Sequence, residues 1–170
     1  MESALSAQKQ QFLATFEREC ATTARVLRAY PGDRLDLRPS ERSMTARELA
    51  WLFVMEQGLG QRALTTGFDW SAPPPAPPAP PESMDEIAAA FEEGSRGVAD
   101  TLRGMSDEEL SGTVQFFVAP KTLGDVPRME FLWFLLHDQI HHRGQLSVYL
   151  RMAGGRLPSI YGPTADEPWF

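Results

Sequence analysis

Apolar residues recur at helical intervals in four separate stretches. From about Ser6 to Tyr30, Phe12, Phe16, Cys20, Thr23 and Leu27 follow one another every three or four positions, with Lys, Glu and Arg between them. That spacing predicts a helix with one buried stripe, ended by Pro31-Gly32. A second helix is predicted from Thr45 to about Thr65, through Trp51, Leu52, Phe53, Val54 and Leu59. Thr45 and Glu48 have capping-box spacing at its start, and Met44 and Leu49 have that of a hydrophobic staple. A third helix, opened by Ser83 and Glu86 in the same box pattern, carries Ile87, Phe91, Val98 and Leu102 on one face before Gly104. The fourth, Phe131 to Gly154, is the most apolar; Asp125 is its expected cap, Pro127 falls in its first turn, and Gly154-Gly155 closes it.

The links between these stretches differ in kind. Alternating Arg34-Leu35-Asp36-Leu37-Arg38 predicts an extended connection lying along the helices. The segment Pro73–Pro81 has few backbone donors, so it predicts a polyproline II course. Ser106 to Leu110 reads as a single helical turn, Thr113 to Val118 as a short extended piece and Pro120 to Gly124 as a turn. Beyond Arg156 the tail reads as draped, with Tyr161, Trp169 and Phe170 available to cover a groove. Four amphipathic helices joined by long, uneven connections predict an all-α protein, a four-helix bundle forming one domain over residues 1–170.

Charge and composition narrow the function. A net charge of −7 and a pI near 5.0 argue against a nucleic-acid partner, which needs clustered Lys and Arg. No run of about 20 apolar residues predicts a membrane span. The N-terminal MESALSAQKQQF lacks the order of a secretion signal, so a cytoplasmic location is expected. The one cysteine, Cys20, cannot form an internal disulfide and sits on an apolar stripe, where it reads as a small buried hydrophobe. Phosphate-binding glycine loops and nucleophile elbows are missing from the sequence.

Candidate chemistry sits on the fourth helix. His137 and His141 lie four residues apart, which stacks two imidazoles one turn apart with Cβ atoms about 5–6 Å from each other. Trp133, Leu136, Ile140, Gly144 and Val148 fall on or beside the same stripe, so the pair is expected to face the core, and His142 to face solvent or a loop. Two histidines at this spacing suit either a metal or hydrogen-bonded packing, and a metal needs a further ligand. On the second helix, Glu56 shares a face with Leu49, Leu52 and Leu59, which puts a carboxylate at the edge of the core. It is expected either to meet an arginine or to bind metal.

The order of Glu48-Leu-Ala-Trp51, His137-x-x-x-His141-His142-Arg143-Gly144-Gln145 and Gly155-x-x-Pro158-x-x-Tyr161-Gly162 resembles the DinB/YfiT-like superfamily of metalloenzymes over nearly the whole chain. The resemblance implies a four-helix bundle, commonly homodimeric, with a divalent metal held by one second-helix histidine and two from the last helix. His137 and His141 match the last-helix pair. The second-helix ligand should follow Trp51, where this chain has Leu52, an alkyl group with no lone pair to donate. Glu56, one turn on, is the candidate replacement, which gives His137, His141 and Glu56 as the expected metal set.

The cofactor is then Zn²⁺ or Ni²⁺, or none at all if Leu52 has closed the site. Relatives also imply a low-molecular-weight thiol, a small-molecule substrate and an S-transferase, isomerase or hydrolase reaction. The alternative is a metal-free, non-catalytic binding or structural protein on the same bundle, with Leu52 packed on the imidazoles.

Overall fold

The computed structural model describes residues 4–73 and 76–170. Helices α1 (Ala4–Arg28), α2 (Ala46–Leu64), α3 (Met84–Gly104) and α5 (Arg128–Met152) form the bundle, and α4 (Asp107–Leu110) is a single turn. Packing runs around the bundle in the order α1, α3, α2, α5, so α1 shares faces with α3 and α5 while α2 shares the other two. The all-α expectation holds for this body. One β-hairpin, β1 (Thr113–Ala119) with β2 (Thr122–Pro127), is added between α4 and α5.

Local chemistry explains most boundaries. Thr45 and Glu48 make the expected box, the hydroxyl accepting from the Glu48 N–H and the carboxylate accepting from the Thr45 N–H at 2.8 Å. The 34–38 connection turns rather than extends, and in doing so brings the Leu37 and Leu35 carbonyls to the Ala46 and Arg47 N–H groups. Two free donors of the first turn of α2 are satisfied that way.

Ser83, by contrast, makes no capping hydrogen bond; Asp85 and Glu86 supply favourable charge at that end of α3. The second capping box of the protein belongs to Ser106 and Glu109 on α4. Asp125 is not a helix cap but pairs with Gln115 in the hairpin, and Pro127 takes the cap position of α5. Within the Pro73–Pro81 segment, residues 74 and 75 lie outside the described residues. The remainder is neither helix nor strand, and the Pro78 carbonyl accepts from the Trp51 indole at 2.9 Å.

The main core lies between the four long helices, around Phe12, Leu27, Phe53, Phe91, Leu132 and Leu136. A smaller cluster of Ala63, Val114, Phe131 and Leu135 sits under the hairpin. α2 and α3 approach so closely that a Cβ on Gly94 would stand 2.9 Å from the Gln57 Cβ, which accounts for a glycine inside α3. Among the described residues no helix is long and apolar enough to cross a membrane.

Candidate metal centre

Glu56 reaches the α2–α5 interface three residues after Phe53, one of the most deeply buried rings, and is itself only 6% exposed. Asp138 and His142 face it from α5, four residues and therefore one turn apart. His142 Nδ1 lies 2.8 Å from Glu56 Oε1, and His142 Nε2 lies 3.9 Å from Asp138 Oδ1. One ligand atom from each of the three residues falls within 4.8 Å of the others. Phe53 packs edge-to-face with the imidazole, with ring centres 6.5 Å apart.

Burial dominates the electrostatics of Glu56. Loss of water pushes its carboxyl up to about 7, while the hydrogen bond from His142 pulls the other way. That bond to Glu56 in turn raises the imidazole above its ordinary value. A proton is therefore held between the two side chains near neutral pH.

The second carboxyl oxygen, Glu56 Oε2, is buried and has no hydrogen-bond partner among the described residues, and the nearby Asp138 carboxylate raises the Glu56 carboxyl further. A buried carboxylate oxygen without a partner is costly, and either a proton or a cation relieves it. Two carboxylates and one imidazole form a donor set suited to a divalent first-row ion, so the residues fit a metal. The void beside Glu56, lined also by Gln57 and Gln139, measures about 10 Å³, roughly the space of one water. Asp138 is the most open of the three groups, with its side chain 39% exposed.

Of the expected ligands, only Glu56 is in this group. His137 and His141 are exposed, and their imidazoles do not face the core. The buried stripe of α5 runs through Leu132, Leu135, Leu136, Gln139, Arg143, Leu146 and Leu150. A helix turns about 100° per residue, so positions two away from Gln139 point nearly opposite to it. His142, three away, returns to within about 60° of it, and is the histidine turned toward α2. His137 lies against Trp133 at a ring separation of 5.9 Å, and His141 Nε2 is 3.0 Å from the Gln145 amide. Glu56 meets a histidine rather than an arginine, and Leu52 is half-buried against the main core.

A polar network missed in the sequence lies behind this centre. The Gln57 amide donates to Gln139, Gln139 donates to Thr23, and Arg143 donates to Thr23 and, at 2.7 Å, to Glu19 Oε2. Tyr161 of the tail closes the network: its hydroxyl accepts from Arg143 at 2.6 Å and donates to Glu19 at 2.7 Å. Arg143 is 1% exposed, and Glu19 is the carboxylate that compensates its buried guanidinium. Cys20 borders the network and its thiol is pushed up to about 11 by burial, which keeps it unreactive.

Comparison with known proteins gives a consistent picture. A family model described as the DinB family matches residues 1–168. YrdA of Bacillus subtilis (strain 168), an uncharacterised protein, is 29% identical over 158 residues, covering 92% of this chain and 89% of that protein. The crystal structure of a DinB-like protein from Bacillus cereus ATCC 10987 superposes with a TM-score of 0.71 at 24% identity, over 89% of this chain and 97% of that one. A second, the DinB-like protein YjoA of Bacillus subtilis, gives 0.65 at 21% identity, over 88% and 96%. These two likenesses bear on the fold.

Proposed function

The chain belongs to the DinB family, and from that premise we propose that it is a divalent-metal-dependent enzyme whose ion is held by Glu56, Asp138 and His142. The observation that carries this reading is the buried, unpartnered Glu56 Oε2 beside an imidazole and a second carboxylate. When bound, a Zn²⁺- or Ni²⁺-like ion supplies a lowered pKa for a water or a low-molecular-weight thiol, the chemistry of hydrolysis or S-transfer to a small electrophile.

The chain's own residues do the rest. Glu56 Oε1 fixes the His142 ring through Nδ1 at 2.8 Å, Phe53 packs beside that ring, and Asp138 is the most exposed of the three groups. In the ion-free protein the proton lies between Glu56 and His142, and ion uptake must displace it. The same proposal includes a homodimer and a cytoplasmic setting. Exposed Phe117, Val118, Leu123 and Phe134, on the hairpin and α5, offer apolar surface for a second copy.

Elemental analysis of untagged protein, followed by Zn²⁺ and Ni²⁺ titration, tests the metal. Near-stoichiometric ion retained in His141→Ala and lost in His142→Ala is the expected result. A second reading, a metal-free bundle, is favoured by the 2.8 Å Glu56–His142 contact, which already satisfies one oxygen and one nitrogen. No bound ion and no rise in melting temperature with excess ion would decide for that reading, because a ligand of the folded state must stabilise it.

A further inference from the structure

On the opposite side of the bundle, between α1 and α3, lies a groove of about 450 Å³, within the range of small-molecule sites. Its floor is apolar, formed by Phe16, Cys20, Ala24, Phe91 and Ala99. Four arginines, Arg25, Arg28, Arg96 and Arg103, line it together with two carboxylates, Glu17 and Glu92.

Three of these cations are engaged: Arg25 with Glu167, Arg28 with Glu92 and Arg103 with Glu17. Arg96 is exposed and makes no hydrogen bond or ion pair among the described residues, although it lies in the field of Glu92, one turn before it. An apolar trough with a free guanidinium at its rim matches a ligand with an apolar body and one anionic head.

The geometry points to a second binding site here, for a medium-chain amphiphilic carboxylate lying along α1 and α3 with its head at Arg96. The site is separate from the Glu56 centre and does not depend on the metal reading.

Decanoate is the probe, with decanol as its uncharged counterpart, followed by calorimetry and amide chemical shifts on the full chain. One-to-one binding of decanoate, tighter than decanol, with shifts along α1 and α3, is expected. Arg96→Glu should weaken it roughly tenfold or more, the loss of a charge-assisted hydrogen bond. Ala21→Trp, at an exposed position of the groove wall, should block it by filling the trough, and His142→Ala should leave it unchanged.

Any of five results would overturn the proposal, the fifth being self-association at the groove. The first four are no binding up to the solubility of decanoate, equal binding of decanol, indifference to both groove variants, or shifts confined to α2 and α5. If α1 and α3 amides shift with protein concentration alone, a second copy fills the groove and the carboxylate assignment is wrong.

Discussion

Burial and hydrogen bonding pull the Glu56 carboxyl in opposite directions, and burial wins, placing it at about 7 against an ordinary 4.5. His142 is raised as well, by its bond to Glu56. A group whose folded pKa is raised binds protons more tightly in the folded state, so its contribution to stability is complete below the unfolded value and fades as pH rises through the folded one. In chelator, the stability of wild type relative to Glu56→Gln should therefore fall as pH rises from about 4.5 to 7, and go on falling as the raised His142 loses its proton. Melting temperatures of the two proteins across that range measure it, and a relative stability that climbs with pH would refute the assignment. With excess Zn²⁺ the slope should reverse, because the ion competes with the proton and is bound more tightly as pH rises.

Residue identity was legible here and orientation was not. Glu56 stood out as a carboxylate on an apolar face. His142 faces α2 rather than solvent because the buried stripe of α5 runs through Gln139 and Arg143, two polar residues that an apolar stripe through Trp133, Leu136 and Ile140 does not include. The usable signal was the Asp138–His142 interval, one helical turn, the same as that between His137 and His141.

Elements follow from periodicity where a face is buried and from caps where they end. α1, α2 and α3 were legible for that reason. β2 was not, because Gly124 and Asp125 look like a turn and a cap when no partner strand is in view. What makes the hairpin is the Pro120-Lys121 corner, with Lys121 at φ 59, and side chains that pair across it, such as Val114 with Val126.

Between elements, the close contact of α2 and α3 at Gly94 makes a separate claim. Alanine is the better helix former, by about 1 kcal/mol. Its methyl would nevertheless stand 2.9 Å from the Gln57 Cβ, and forced overpacking costs typically about 1–3 kcal/mol. Gly94→Ala is expected to lower stability in urea unfolding. It should also weaken ion binding, because Gln57 adjoins Glu56. A stabilised Gly94→Ala protein would mean that the two helices separate easily and that the contact does not hold Gln57 in place.

At the scale of the whole molecule, the tail ties α1 to α5. Arg25 meets Glu167, Arg151 meets Asp166, and Tyr161 inserts its hydroxyl between Arg143 and Glu19. The sequence showed a draped segment but not this anchoring, which depends on Arg143 being turned inward; Trp169 and Phe170 remain exposed rather than covering a groove. Exposed ion pairs contribute little, about 0–1 kcal/mol each, so the tail's hold should reside mainly in Tyr161.

Desolvation raises the Glu19 carboxyl, but the bonds from Tyr161 and Arg143 outweigh it and hold the group below its ordinary 4.5. Its sign is opposite to that of Glu56: the stabilisation is present above 4.5 and lost as pH falls through the folded value. Tyr161→Phe removes one donor to that carboxylate and should move the midpoint of acid unfolding to higher pH, with a loss at neutral pH of about 1 kcal/mol. A chain shortened after Ser159 should show the same shift and little more. If the shortened chain loses far more than Tyr161→Phe, the Arg25–Glu167 and Arg151–Asp166 pairs carry the attachment. If neither moves the acid midpoint, Arg143 alone suffices to hold Glu19 ionised, and the tail is a passenger on the bundle.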